Sequence, residues 1–132
     1  MRPTPVTLGL TLCDYVIVED RTRKVSTIGN FSGLKLHQFP SVPQPFCAIA
    51  TLTHSAGTGI IELVITDIDG TEEIYKFQQD VRLADRFADT IALFRIKNCS
   101  FPASGLYLIT LLVDGESVAQ RRLHVYSEDE SI

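Results

Sequence analysis

The hydrophobic and polar residues of this chain follow the two-residue period of β-strands along most of its length. Leu8, Leu10 and Leu12 alternate with smaller or polar residues, a pattern typical of a strand with one buried face. Further β-rich runs follow, separated by turn-forming residues. They are Tyr15–Val18, Val25–Leu36, Phe46–His54, Gly59–Thr66, Thr90–Lys97, Leu106–Val113 and Glu116–Tyr126. The spacing predicts an all-β domain of about seven to nine strands.

Two Asp-Gly dipeptides predict β-hairpins. Asp69-Gly70 and Asp114-Gly115 each stand between strand-like runs. Both residue types tolerate the positive φ that a two-residue hairpin turn requires. Since hairpins join antiparallel strands, we expect an antiparallel sheet architecture, with Gly70 and Gly115 as structural residues of the turns.

Glycine and proline interrupt the strand pattern elsewhere. Gly29 and Gly33 fall inside Val25–Leu36, so this run is either one kinked strand or two strands. Phe39–Pro45 contains three prolines, and proline has no N–H to donate to a neighbouring strand. We therefore expect a loop here that crosses between sheets.

The stretch Val81–Ala92 is ambiguous. Leu83, Phe87 and Ile91 fall at helical spacing, which allows a turn or two of helix. We prefer an irregular crossing followed by a strand from Thr90 to Lys97. The reason is that three apolar residues alternate there with two charged ones, namely Ala92, Phe94 and Ile96 with Arg95 and Lys97.

The alternation also predicts a core. Leu106–Val113 is apolar on both faces, as expected for a central strand covered on both sides. The remaining candidates share one face of their strands. They are Leu8, Leu10, Leu12, Ile49, Ile61, Leu63, Ile65, Phe94, Ile96, Leu123 and Val125.

Composition limits the classes of partner. The chain has 132 residues, a net charge of −4 and 21% charged residues, which fits one globular domain. Nucleic acids and acidic membranes attract a concentrated positive field, so neither is an expected partner. We assign residues 1–126 to a single domain and residues 127–132 to an acidic C-terminal tail. No apolar run approaches the length of a membrane span.

Cysteine use indicates the cytoplasm. Cys13, Cys47 and Cys99 are odd in number and widely spaced, without a C-x-x-C pair, so buried free thiols are expected. The N-terminus carries two prolines and no long apolar segment, which does not match a secretory signal.

Phe101–Tyr107, the Asp114-Gly115 turn and Leu123–Val125 together resemble the C-terminal half of immunoglobulin-like and fibronectin-type β-sandwiches. That resemblance implies an antiparallel immunoglobulin-like β-sandwich. In those folds a tyrosine placed like Tyr107, after a glycine placed like Gly105, bonds a neighbouring backbone group. The chain departs from antibody domains because it lacks tryptophan and the inter-sheet cysteine pair.

The chain is more narrowly similar to a family of uncharacterised bacterial proteins of this length. The similarity lies in Leu12-Cys13-Asp14, the run Thr27–Gly33, the turn Asp67–Gly70 and the Gly105-x-Tyr107 strand. It implies a fold and a bacterial or phage origin. It carries no activity and no functional residues.

No catalytic set can be nominated from the sequence. Cys47 and His54 stand at an odd separation, so an unbulged strand would point them to opposite faces. Asp67, Asp69 and Glu72 surround a turn glycine, but this short loop does not supply the ligand spacing of a calcium loop. We expect no catalytic residues, no cofactor and no metal.

With catalysis and metal binding set aside, the function that we expect is the binding of another molecule. Phe39 and Phe46 flank the proline-rich loop and offer one candidate partner surface, unless they plug the end of the core. Leu111 and Val113 offer another, unless their strand is an ordinary central one. We expect a non-enzymatic protein-interaction or assembly module that binds another protein or itself as a homodimer. The alternative is a small-ligand or carbohydrate-binding β-sandwich, with Tyr15, Tyr75, Tyr107 and Tyr126 as sugar platforms.

Overall fold

Ten β-strands make up the regular structure of the computed structural model, which describes residues 5–53, 57–83 and 89–128. The described residues contain no helix, and so none long and apolar enough to cross a membrane. The strands are β1 (Val6–Cys13), β2 (Tyr15–Val18), β3 (Val25–Ile28), β4 (Gly33–Leu36), β5 (Phe46–Thr53), β6 (Gly57–Asp67), β7 (Glu73–Leu83), β8 (Thr90–Ile96), β9 (Gly105–Val113) and β10 (Glu116–Ser127). The all-β class is confirmed, with one strand more than the expected range.

Two sheets face each other across the core. One has three strands in the order β1-β5-β8, and the other has five in the order β4-β10-β9-β6-β7. The core draws on both, because Leu12, Ala48 and Phe94 of the small sheet cluster with Leu63 and Ile109 of the large one. Strands β2 and β3 pair only with each other and form a separate hairpin.

One pair of strands is parallel, which corrects the expectation of a purely antiparallel architecture. Strand β4 lies along β10 with Gly33 opposite His124 and Leu36 opposite Ser127. The run Val25–Leu36 is therefore two strands in two sheets. The segment between them is held by the Phe31 N–H, which donates to the Leu12 carbonyl, and the His124 N–H, which donates to the Ser32 carbonyl.

Most of the predicted core residues are buried in the core, and Leu8 and Ile49 are the two that lie elsewhere. Leu8 is 64% exposed because a bulge at Gly9 shifts the β1 register between Thr7 and Leu10, which breaks the alternation. Ile49 is buried, but on the opposite face of β5 from Ala48 and Ala50, which belong to the core cluster.

The two predicted hairpin turns differ in length. Asp114 and Gly115 have φ values of 51° and 84° and join β9 to β10 directly, as a two-residue turn requires. At Asp69-Gly70 the strands end at Asp67 and resume at Glu73. That loop is longer than predicted, because Asp67 accepts hydrogen bonds across it. The proline-rich segment after β4 does cross between the sheets, since β4 and β5 belong to different sheets.

Two expectations fall partly outside the described residues. The stretch Val81–Ala92, where a helix or an irregular crossing was predicted, is strand at both ends, because β7 runs to Leu83 and β8 begins at Thr90 as expected. Residues 84–88 of this stretch lie outside the described residues. Of the predicted acidic tail, Ser127 closes β10 and Glu128 bonds to His37 across 2.9 Å.

Tyr107 makes the hydrogen bond expected of it, donating to the Ala103 carbonyl at 2.6 Å while its ring contacts Phe101 edge-on. Removing the hydroxyl in Tyr107→Phe leaves that carbonyl without its donor, and we expect a loss of about 1 kcal/mol in unfolding free energy. Urea denaturation measures it. The exposed Tyr15→Phe is the control, and equal stabilities of the two variants would contradict this role.

Gly29 occupies a crowded position beside Asp14. Its φ is +72°, and an added Cβ would lie 2.9 Å from the Asp14 carboxyl carbon. Gly70 has nearly the same φ, +73°, with nothing within 4 Å of that Cβ position. Gly29→Ala should therefore cost about 1 kcal/mol more than Gly70→Ala, since the backbone strain is shared and only the crowding differs. Equal losses in urea denaturation would show that Asp14 moves away freely.

Candidate functional site

Of the four residues predicted to form partner surfaces, three are buried and Phe39 is partly buried. Leu111 and Val113 point into the core, which matches the alternative that their strand is an ordinary central one. The alternation of β9 explains it, because the core-facing residues of a central strand are covered by the opposite sheet. Phe46 is also buried, and Phe39 is partly buried against the core. Phe46 is a member of the core cluster and contacts the ring of Phe31 edge-on.

The exposed apolar surface lies instead on the β2–β3 hairpin. Tyr15 and Ile17 alternate along β2, and Ile28 lies directly opposite Tyr15 on β3. Their exposed fractions are 67%, 52% and 47%. Directly opposed residues share a face of a two-stranded ribbon. We call this trio the hairpin face.

The other side of the hairpin lies over the small sheet. A cavity of about 220 Å³ is lined by Val25 and Thr27 of the hairpin and by Thr11 and Ile49 of the sheet. This cover explains why Ile49 is buried although it points away from the core. The hairpin therefore has one covered face and one open apolar face.

The turn of the hairpin is held by its own hydrogen bonds. The Glu19 carboxylate accepts from the N–H and the hydroxyl of Thr22. The Glu19 N–H donates to the Lys24 carbonyl at 2.8 Å, and Arg23 has a φ of 60°. These hydrogen bonds from Thr22 lower the pKa of Glu19. The turn presents Arg21, Arg23 and Lys24 to solvent from a fixed backbone.

A second cavity, of about 390 Å³, opens at the base of the hairpin. Its lining combines charged, aromatic and thiol groups: Asp14, Tyr15, Val16, Pro45, Phe46, Cys47, Arg95, Ile96 and Lys97. Cys47 lies directly opposite Cys13 on one side and Arg95 on the other. The three side chains therefore share the outer face of the small sheet.

The sulfur of Cys47 approaches the carbonyl of Asp14 at 3.9 Å. Burial, then the nearby Cys47 and Asp14, raise the pKa of the Cys13 thiol. Cys99 is a separate buried thiol, and burial raises its pKa to about 12. All three cysteines are free. The expectation of free, buried thiols holds, but Cys47 faces this cavity and not the core.

The comparisons with known proteins identify the family. The family model DUF6941, described as a family of unknown function, matches residues 8–126. The chain belongs to DUF6941. No curated protein matches it. The matched span contains the hairpin face, Cys13 and Cys47 on the outer face of the small sheet, and the strand of Tyr107.

Solved structures are similar to this DUF6941 chain at low sequence identity. One is an alkylpurine DNA glycosylase, AlkC, from Pseudomonas fluorescens, bound to DNA containing an abasic site analogue. It is 11% identical with a TM-score of 0.52, over 89% of this chain and 30% of that chain. Another is a "putative lipoprotein" from Bacillus anthracis, 10% identical with a TM-score of 0.42, over 86% of this chain and 84% of that chain. The DUF6941 chain thus spans less than a third of the glycosylase, which shows a shared fold alone.

The candidate calcium loop of the DUF6941 chain has its own internal bonding. One Asp67 carboxylate oxygen accepts from the N–H groups of Thr71 and Glu72 at 2.7 and 3.2 Å, and the other accepts from the Thr71 hydroxyl at 2.5 Å. These donors, led by the Thr71 hydroxyl, lower the pKa of Asp67. Among the described residues no group of three or more His, Cys, Asp and Glu is placed to hold a metal ion. Asp67 organises the turn.

Other sequence candidates are scattered. His54 lies outside the described residues, so the Cys47–His54 pair is not described. Of the four tyrosines considered as sugar platforms, Tyr107 and Tyr126 are buried and Tyr75 is partly buried, while Tyr15 is exposed.

The hairpin face could have been predicted from a pattern in the sequence. Four consecutive apolar residues from Tyr15 to Val18 on a short, two-stranded ribbon leave one apolar face without cover.

The lowered pKa of Asp67 makes a pH prediction. Because its folded pKa lies below the unfolded one, its stabilisation is complete above the ordinary Asp range and disappears as the pH falls through the folded pKa. Asp67→Asn should therefore lower the urea midpoint at about pH 7, and this loss should shrink as the pH falls below the ordinary Asp range of about 4. Asp69→Asn, in the same turn, is the control. A pH-independent loss in Asp67→Asn would contradict the charge-based role.

Proposed function

We propose that this protein is a non-enzymatic protein-interaction module with an immunoglobulin-like sandwich architecture, and that the hairpin face is its docking surface. The observation that carries the proposal is the exposure of Tyr15, Ile17 and Ile28 together on one face. Exposed apolar clusters of this kind, with an aromatic member, are typical of protein-contact surfaces. The DUF6941 match and the shared fold support the architecture without identifying a partner.

Charge around the hairpin face favours a particular partner. The flanking segments 14–24 and 95–97 carry five cationic side chains and three carboxylates, whereas the whole chain has a net charge of −4. The cations are Arg21, Arg23 and Lys24 at the turn and Arg95 and Lys97 at the cavity. A partner protein with an apolar patch bordered by carboxylates complements this surface.

A second copy of the chain is less well matched. A two-fold symmetric dimer through the hairpin face would place the same patch on both sides, so the cationic groups would approach their own copies. Like charges across an interface oppose binding. The homodimer therefore becomes an outcome of the test and not the proposal.

A small ligand is the second candidate function. Tyr15 stands 67% exposed at the cavity of about 390 Å³, which has the size of a small-molecule site. Ligand binding to the folded state would raise Tm.

We also place the protein in the cytoplasm, which the three free cysteines support.

The test replaces Ile17 by lysine. Ile17→Lys puts a charge at the centre of the hairpin face, and we expect at least about tenfold weaker partner binding, because burying an isoleucine is worth about 1.5–3 kcal/mol. Val42→Lys is the matched control, since Val42 is 62% exposed in the proline-rich loop and does not belong to the hairpin face. Far-UV circular dichroism and Tm verify that both variants fold.

Binding is measured by quantitative pull-down with the full-length chain, followed by titration of the purified partner at several salt concentrations. A partner that binds wild type and Val42→Lys but not Ile17→Lys, more weakly at high salt, supports the proposal. A partner retained by Ile17→Lys contradicts it. Light scattering on wild type that shows an Ile17-dependent dimer would assign the hairpin face to a second copy instead.

A further inference from the structure

The row of Cys13, Cys47 and Arg95 on the outer face of the small sheet carries an inference that is independent of partner docking. The two cysteines lie on adjacent antiparallel strands and are direct register partners. Both are free thiols. In an antiparallel pair, directly opposed Cα atoms are about 4.5 or 5.5 Å apart, depending on the hydrogen-bonding position. Both separations lie within the range that a disulfide accepts.

The two thiols differ in access. Cys13 is fully buried, whereas Cys47 is 7% exposed and lines the cavity of about 390 Å³. A molecule in the cavity therefore reaches Cys47 first, and Cys13 stands behind it. This is the arrangement of an attacking thiol and a resolving thiol.

The cavity also selects for charge. Arg95 and Lys97 line it against one carboxylate, that of Asp14, so its charged groups are cationic on balance. Arg95 is the register partner of Cys47 on the far side from Cys13. A guanidinium beside the accessible thiol favours a ligand that carries carboxylates.

We infer that Cys13 and Cys47 form a thiol–disulfide exchange site that reacts with a small disulfide bearing carboxylates, bound in the cavity beside Arg95. The Cys47 thiolate attacks one sulfur of the small disulfide, which forms a mixed disulfide and releases one small thiolate. The Cys13 thiolate then attacks the Cys47 sulfur, which closes the Cys13–Cys47 bond and releases the second small thiolate. The protons lost by the two cysteines go to the two thiolates, so one dithiol is oxidised and one disulfide is reduced.

The first experiment treats the reduced, full-length protein with glutathione disulfide as the probe, then alkylates it and maps the peptides by mass spectrometry. We expect a linked Cys13–Cys47 peptide, an alkylated Cys99 and a higher Tm, because the new bond restricts the unfolded chain. Cys99→Ser is the matched control and should react like wild type. Modification of Cys99 together with the other two, or no Cys13–Cys47 bond in the folded protein, overturns the inference.

The order of attack is tested by variants. Cys13→Ser should accumulate a mixed disulfide of Cys47 with glutathione, and Cys47→Ser should remain unreactive. If Cys13→Ser fails to fold, the same trapping is read in wild type, where the mixed disulfide on Cys47 must appear before the linked peptide. A mixed disulfide on Cys13 instead of Cys47, in either protein, overturns the assigned roles.

The preference for a disulfide that carries carboxylates is tested by comparing the reaction rates of two disulfides. Arg95→Gln should slow the reaction with glutathione disulfide by about threefold to tenfold at low salt, because the steering charge is lost. The reaction with the uncharged 2-hydroxyethyl disulfide should keep its wild-type rate. Equal slowing with both probes, or no slowing with either, overturns the carboxylate preference.

Discussion

The whole structure depends on the packing of two sheets of unequal size through the inward side chains of a few long strands. In β9 every second residue from Tyr107 to Val113 is buried, β6 continues the same alternation, and β10 adds Leu123 and Val125. The three strands β1, β5 and β8 cover this surface. Phe77 of β7 meets Phe94 of β8 edge-on, with ring centroids 6.2 Å apart, so the contact between the sheets reaches the edge strands. With the core closed in this way, the open apolar side chains of the hairpin face lie on segments outside it.

Those segments converge on the junction where β1 ends. The Asp14 N–H donates to the carbonyls of Ile28 and Gly29, at 3.0 and 3.2 Å, which ties the start of β2 to the end of β3. Gly29 has no side chain where the Asp14 carboxylate lies. The backbone carbonyl of Asp14 also accepts from the Cys47 thiol. One tight junction therefore fixes the hairpin over the small sheet and places the dithiol and its cavity at the hairpin base.

Local signals explain which features were predictable. Alternation located most of the strands, although it gave no bounds for β7. Asp114-Gly115 specified its turn because the two residues alone set the required φ values. The Tyr107 hydrogen bond was expected from the resemblance to immunoglobulin-like domains, and its acceptor, Ala103, is close in sequence. In contrast, the parallel pairing of β4 with β10 joins segments about ninety residues apart, and no local preference encodes such a partner. For the same reason the sequence left open whether Leu111 and Val113 face a partner or the core. Two apolar faces show that both are covered, but not which face meets the core. The opposition of Cys13 and Cys47 likewise depends on register between distant strands.

The position of β10 has a consequence for how the chain acquires its fold during synthesis. It is the last of the ten strands along the chain, yet it lies inside the five-stranded sheet between β4 and β9. Until the ribosome has delivered it, β4 has no partner in that sheet and β9 has one open edge. The β4 edge of the nascent chain therefore stays unpaired in that sheet until β10 has been synthesised, a state in which chaperones commonly protect chains from aggregation.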